Sequence, residues 1–190
     1  MNHFYNDIKF GEDYFTYPHL YREFVQILSN GSTFVEIGSW KGRSISFFAV
    51  EAINSNKDIK CFCVDTWKGS SEHAQEINVV NDTLHSLFLD NIKPVAHFIT
   101  PIKKTSVEAA ADFQDESVDI VFIDGDHDYQ PVKDDIAAWL PKIKNGGLIT
   151  GHDYLFPTVR KAVDEIFGDA VVFRNPMENC WIVKVEIDDT

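Results

Sequence analysis

A chain of 190 residues, 44% hydrophobic and 25% charged, has room for one domain with a sizeable core and too little for two ordinary ones. Its formal net charge of -13 disfavours general binding to nucleic acid or to an anionic membrane surface. No apolar run approaches the ~20 residues that span a bilayer, and the start "MNHFYNDIKF" lacks a basic flank, an apolar stretch and a cleavage site, so the chain reads as cytoplasmic.

Residues 1–30 form an N-terminal helical segment: "YPHLYREFVQILSNGS" has the helical period and is closed by Asn30-Gly31. The aromatic stretch "FTYPHLY" offers an acceptor-pocket wall or a homodimer contact, with plain packing the commoner use of such a stripe. "TFVEIG" (33–38) and "IKCFCVD" (59–65) are strands rich in Val, Ile and Phe, as expected where both faces are covered, with the helix "SISFFAVEAINSN" between them. Cys61 and Cys63 alternate along the second strand and read as small core residues. With three cysteines in all, neither a disulfide framework nor a zinc pattern is indicated. Residues 66–92 include the helix "NDTLHSLFLDNI" and are read as a lid over the acceptor site, with His73 solvated and His85 on a helix surface.

Three further strands are expected at "VAHFIT" (95–100), "VDIVFID" (118–124) and "GLITGHD" (147–153), separated by the helices "SVEAAADF" and "PVKDDIAAWLPKI". Pro131 and Pro157 each suit the first turn of a helix, and Trp139 falls on an apolar stripe with Ile136 and Leu140. The last strands, "AVVF" (170–173) and "CWIVKV" (180–185), are joined only by "RNPMEN", too short for a crossover helix, so they form an antiparallel hairpin. The expected fold is a single α/β domain over residues 1–190, with a Rossmann-like, doubly wound, mostly parallel seven-stranded sheet and that hairpin at its edge. An NAD-binding domain would continue with parallel units instead.

Ligands of open α/β sheets sit beyond the carboxyl ends of the strands. Here four of the five parallel strands end in acids: Glu36, Asp65, the run Asp124-Gly125-Asp126-His127, and His152-Asp153. In "FVEIGSWKGRS" (34–44), Gly38 and Gly42 let the backbone bend, and the helix that follows presents its N-terminus to an anion. The middle glycine that a pyrophosphate needs is replaced by Trp40, so the turn suits a smaller anion held by Ser44 and helix amides, while Glu36 attracts a cation. Asp65 is placed to accept a ribose diol, and Trp67 to stack on a base.

The segments "VEIGSWKGRS", "CVDTWKGS", "VDIVFIDGDHDY" and "NGGLITGHDY", in this order, resemble class I S-adenosylmethionine-dependent methyltransferases across residues 30–185. The nearest subgroup is the small-molecule O-methyltransferases with an FIDGDHxY segment. The resemblance implies an S-adenosylmethionine site with Glu36, Gly38 and Ser44 around the methionine portion and Asp65 on the ribose. It puts Ser106 and the segment Asp124–Asp126 beside the adenine and the sulfonium. Ser39, Trp40, Gly42, Thr66, Trp67 and Gly125 complete the expected cofactor-binding set.

The reaction would be an in-line displacement that needs alignment and removal of the acceptor's proton. Two routes are open for that proton. His127 acts as general base beside Asp124, or a Mg²⁺ or Ca²⁺ ion on Asp124 and Asp153 lowers the pKa of the acceptor. Enzymes like catechol O-methyltransferase have an amide ligand after the second Asp; this sequence has Tyr154 there, leaving Asp126 or His152 to complete the set. The expected acceptor is a small molecule, a hydroxylated sugar or a phenol. The rival readings are an NAD- or nucleotide-binding protein and a non-catalytic cofactor-binding module.

Overall fold

The computed structural model describes residues 1–12, 14–70 and 73–187. Pro18 opens α1 (Pro18–Ile27) at a position where its missing N–H costs nothing. The chain then runs β1 (Thr33–Ile37), α2 (Arg43–Asn54), β2 (Lys60–Asp65), α3 (Ile77–Val80) and α4 (Leu84–Ile92). It continues through β3 (Ile99–Lys103), α5 (Ser106–Ala110), β4 (Val118–Ile123), α6 (Tyr129–Trp139) and β5 (Ile143–Gly151), and closes with α7 (Pro157–Phe167), β6 (Val172–Phe173) and β7 (Trp181–Lys184). No helix among the described residues is long and apolar enough to cross a membrane.

The strands form one sheet in the order β3-β2-β1-β4-β5-β7-β6. The first five are parallel, and β7 pairs antiparallel with both β5 and β6. From β1 the chain winds outward to β3 and then crosses back to β4, which makes the carboxyl ends of β1 and β4 the switch point where such sheets bind ligands. Alternation along β1 sorts its side chains between two cores. Phe34 faces the aromatic core under α1, α2 and α4, where its ring stacks on Phe48 at 4.0 Å. Val35 and Ile37 face the aliphatic core under α5, α6 and α7.

The third strand begins at Ile99, four residues later than its hydrophobic run suggested, because Lys93–Phe98, with Pro94 near its start, forms a 3₁₀ turn. Pro101 is tolerated inside β3 because this strand has only β2 as neighbour. The fifth strand starts at Ile143 rather than Gly147: the register jumps from Val118↔Ile143 to Ile120↔Leu148, and Gly146, at φ +80°, absorbs the bulge. The sixth strand is cut to two residues by a 3₁₀ turn at Gly168–Ala170. In residues 66–92, Leu84, Phe88 and Ile92 of α4 are at most 1% exposed, so the second half of this segment is anchored in the core rather than free to act as a lid. Residues 71 and 72 of the segment lie outside the described residues.

Candidate active site at the strand ends

Among the described residues a cavity of about 860 Å³ opens beyond the carboxyl ends of β1, β2, β4 and β5, within the size range of small-molecule sites. Gly38, Ser39, Trp40, Ser44, Asp65, Thr66, Ser106, Asp124, Gly125, Asp126, His127 and Asp153 all line it. Glu36, Gly42 and Trp67 do not reach it, each for a physical reason.

Glu36 shares a face of β1 with Phe34 and is 1% exposed among aromatic rings. Such a carboxyl needs donors. Tyr21 donates to Oε2 at 2.7 Å, and Ser39 to Oε1 at 2.7 Å. Burial pushes its pKa up to about 7, against the pull of Ser39, Tyr21 and Ser44 and with help from the Asp124 charge. Glu36 therefore supports the cavity wall from behind. Because the native state holds this proton more tightly than the unfolded chain, Glu36 stabilises the fold at low pH. That contribution is lost as pH rises from about 4.5 through about 7. Glu36→Gln is expected to raise stability above pH 8 by up to about 3 kcal/mol relative to wild type and to change little at pH 4.5. Urea titrations of both proteins at the two pH values check this, and a pH-independent difference refutes it.

Gly42 caps α2 at φ +85°, where a Cβ would stand 2.8 Å from the Ile92 side chain. Its role is to let α2 approach α4. Trp67 is 1% exposed, with its ring against Phe88 and His85 and its indole N–H on the Trp40 carbonyl at 3.0 Å. No face is open to stack on a base, which corrects that expectation. Trp40 itself lines the cavity, at φ +47°, with its ring 4.2 Å from that of His73.

Asp65 also has a structural job. Its Oδ2 accepts the Trp40 N–H at 2.8 Å and its Oδ1 the Trp67 N–H at 2.7 Å, so it clamps the loops after β1 and β2 together. Burial raises its pKa, while the amides of Trp67, Trp40, Ser39 and Thr66 pull the other way. Of these amides only those of Trp40 and Trp67 stand at hydrogen-bond distance, and since an ionised carboxylate has about four acceptor positions, capacity for a ligand is left.

Gly38 fixes the distance between the β1 and β4 ends. At φ +85°, its missing Cβ would lie 1.9 Å from the Asp124 carbonyl oxygen. The neighbouring amides continue the ladder, Gly38 N–H to Val64 O and Asp124 N–H to Ile37 O, both at 2.9 Å.

Around Asp124 stands a polar network. Tyr17 donates to Asp124 Oδ2 at 2.6 Å. His152 Nδ1 lies 3.1 Å from Asp153 Oδ2 and 3.5 Å from Asp124 Oδ1, and its Nε2 meets the Thr16 hydroxyl at 3.1 Å. Burial pulls the His152 imidazole down, but the two carboxylates outweigh it and raise its pKa to about 10. Burial also disfavours the Asp153 charge, yet hydrogen bonds from His127 and His152 hold that carboxyl well below its ordinary range. His127 Nε2 lies 2.8 Å from Asp153 Oδ2, and its ring stacks on Phe156. Asp124, His152 and Asp153 each offer one ligand atom within 4.8 Å of the others. The structure thus groups His152 with the acid pair, while Asp126 accepts the Asp128 N–H at 2.8 Å.

Phe15, Thr16 and Tyr17, from the aromatic stretch read as a pocket wall or a dimer contact, line the cavity together with Phe10, which the sequence did not point to. They bring the N-terminal segment over the cavity, held there by Arg43, which donates to the carbonyls of Tyr5 at 2.8 Å and Gly11 at 2.7 Å. Asp135 on α6 also borders the cavity, and burial raises its carboxyl to about 6, opposed by a hydrogen bond from Ser106. It had a signal: it is an acid at helical spacing with the buried Val132, Ile136 and Trp139.

A family model described as Methyltransferase domain matches residues 35–154. Over 119 residues, 63% of this chain and 13% of the relative, the sequence is 32% identical to uncharacterized protein y4gI of Sinorhizobium fredii. Over 142 residues, 72% of this chain and 60% of the relative, it is 30% identical to uncharacterized protein R132 of Acanthamoeba polyphaga mimivirus. The chain therefore spans less than two thirds of either relative. Among solved structures, the O-methyltransferase NovP is similar at TM-score 0.70 and 14% identity, covering 90% of this chain and 80% of that one. A SAM-dependent O-methyltransferase from Thermotoga maritima is similar at TM-score 0.62 and 11% identity, with 91% and 66% covered. The TDP-rhamnose 3'-O-methyltransferase CalS11 of calicheamicin biosynthesis is similar at TM-score 0.54 and 16% identity, with 87% and 75% covered. At such identities the likeness is one of fold.

Proposed function

This chain belongs to the methyltransferase-domain family, and on that premise we propose that it transfers the methyl group of S-adenosylmethionine, by in-line displacement, to a hydroxyl oxygen of a small molecule, a sugar or a phenol. The observation that carries the reading is the shared cavity: Asp65 and Asp124, from strands on either side of β1, face one hollow whose acid-rich wall suits a cationic, ribose-bearing ligand. Within the family, the resemblance of the segment "FIDGDHDY" to the small-molecule O-methyltransferases supports a hydroxyl acceptor, and the net charge of -13 fits an acceptor other than nucleic acid.

When bound, S-adenosylmethionine supplies an electrophilic methyl group on a sulfonium centre. Asp65 holds the ribose hydroxyls with the acceptor positions its amide contacts leave over. Gly38, Ser39 and Ser44 surround the methionine portion, and Ser106 with Asp124–Asp126 flanks the remainder. The N-terminal aromatic residues and Thr66, Gly69 and Ser70 with His73 cover the acceptor and exclude water. His127 takes the acceptor's proton, and Asp153, 2.8 Å from its ring, stabilises the imidazolium that results. A second proton route is favoured by one observation. Asp124, His152 and Asp153 would hold a divalent cation, magnesium or calcium, in place of the proton that the two carboxylates keep on His152, and the cation would lower the pKa of a bound hydroxyl.

The test is calorimetry with S-adenosylhomocysteine and NADH, followed by methyl transfer to a panel of sugars and phenols with and without Mg²⁺. Binding of S-adenosylhomocysteine but not NADH is expected, and binding of NADH alone overturns the reading. His127→Ala should lower turnover about 10²- to 10⁴-fold while S-adenosylhomocysteine affinity stays within a few-fold. Equal turnover in mutant and wild type removes His127 as the base. Loss of activity in EDTA, restored by Mg²⁺, assigns the proton step to the cation route.

A further inference from the structure

A sugar and a phenol make different demands on the wall of the cavity. A sugar presents several hydroxyls, each of which loses water on entry and must find a polar partner. A phenol presents one hydroxyl on a flat apolar ring and asks for aromatic faces. Outside the positions given to the methyl donor, the polar side chains of the wall are largely engaged within the protein. Thr16 is held between His152 Nε2 at 3.1 Å and the Glu178 carbonyl at 3.3 Å. Lys41 donates to Glu76 at 3.1 Å, and Arg43 directs its guanidinium to the Tyr5 and Gly11 carbonyls. Ser70 is paired with His73 at 2.9 Å, and the Tyr14 hydroxyl donates to Glu12. Among the described residues, no Asn or Gln lines the cavity, so it lacks the neutral amides that can both donate to and accept from a hydroxyl.

Around the imidazoles the wall offers rings instead. Phe156 lines the cavity and stacks on His127 with centroids 5.2 Å apart, and it is nonetheless 42% exposed. The neighbouring Leu155 is 51% exposed, so the opening beside His127 is apolar over more than one side chain. Beside His152, the Tyr17 ring stands 4.8 Å away, with Phe15 edge-on to it, and both line the cavity. We infer that the acceptor is a phenol rather than a sugar, with its ring laid against Phe156 and its hydroxyl turned toward His127. Phe156 is then the residue that sets acceptor specificity. The inference rests on the methyl-transfer reading, which leaves both acceptor classes open. In the step it implies, the phenol oxygen bonds to the methyl carbon as the carbon–sulfur bond breaks. The electron pair of that bond stays on sulfur, giving neutral S-adenosylhomocysteine, and the phenolic proton goes to the His127 ring.

The experiment is calorimetry on wild type, Phe156→Leu and Phe156→Ala, each saturated with S-adenosylhomocysteine and titrated with 4-methylphenol, 2-naphthol and methyl α-D-glucoside. The same three compounds are then offered as acceptors with labelled S-adenosylmethionine. Wild type is expected to bind both phenols at least about 10-fold more tightly than the glycoside, 2-naphthol the more tightly for its larger ring, and to methylate the phenols alone. Phe156→Ala should lose about 10-fold in 2-naphthol affinity, because the ring contact and its buried area go together. Phe156→Leu, which keeps bulk without the ring, should fall between. Affinity for S-adenosylhomocysteine should agree within a few-fold across the three proteins, which also shows that the variants are folded. A glycoside bound or methylated as well as the phenols overturns the inference while the methyl-transfer reading stands. Binding of neither class, or an unchanged 2-naphthol affinity in folded Phe156→Ala, does the same. If wild type does not bind S-adenosylhomocysteine, the methyl-transfer reading itself fails and the inference falls with it.

Discussion

Gly38→Ala is expected to give a protein that unfolds far below the wild-type urea midpoint, or that does not accumulate in soluble form. Two penalties add. The left-handed backbone at φ +85° costs a residue with a Cβ roughly 1–2 kcal/mol. The new methyl group would also sit 1.9 Å from the Asp124 carbonyl oxygen and 2.8 Å from the Gly125 Cα, both main-chain atoms that cannot rotate away. Separating the β1 and β4 loops enough to admit it adds an overpacking cost of about 1–3 kcal/mol. Together they amount to about 2–5 kcal/mol, a large share of the roughly 5–15 kcal/mol that holds a domain folded. Gly125→Ala is the control, since its Cβ would make an ordinary 3.7 Å contact with Ile37. A Gly38→Ala protein as stable as the Gly125→Ala protein would show that the two loops do not need this close approach.

The second large effect is expected at Asp65, and it should appear in two measurements at once. Removing the carboxylate in Asp65→Ala strands the Trp40 and Trp67 amides that it accepts at 2.8 and 2.7 Å. Hydrogen bonds to a charged group are worth about 1.5–3 kcal/mol each, so the midpoint of unfolding should fall clearly. Affinity for S-adenosylhomocysteine should fall about 100-fold or more, from loss of the diol contacts and of the turn geometry together. Asp65→Asn keeps one acceptor oxygen and should recover part of the stability but little of the affinity. Lower stability with unchanged affinity would make Asp65 a loop clamp alone and refute its ribose role.

These two residues also show what was legible in the sequence and what was not. The alternation of apolar runs with helical periods specifies a parallel sheet, and ligands of such sheets gather at the strand ends, so Asp65, Asp124 and Asp153 were found from position alone. Position does not say which way a side chain faces. Glu36 and Asp65 both close strands, but the two-residue alternation turns Glu36 into the aromatic core and leaves Asp65 at the cavity. Trp67 follows Asp65 closely and looked like a stacking platform, yet its contacts with Phe88 and His85 come from a helix 17 or more residues on, which no local pattern reveals. The joining of Tyr17 to Asp124, across 107 residues, is likewise invisible locally. The shifts at β3 and β5 have local causes, Pro94 and Asn145-Gly146, which override the hydrophobic runs around them.

The position of β7 bears on how the molecule is made. This strand follows β6 in the chain but lies between β5 and β6 in the sheet, and its Trp181 indole packs where a Cβ on Gly151 would otherwise go, 2.8 Å away. During vectorial synthesis β6 thus has nothing to pair with until residues 181–184 have left the ribosome. Until then β5 keeps an open edge beside Gly151, His152 and Asp153. All of α1–α7 and every residue that lines the cavity precede β7 in the chain, so what the last strand adds is closure of the β5 edge beside the cavity rather than a wall of it.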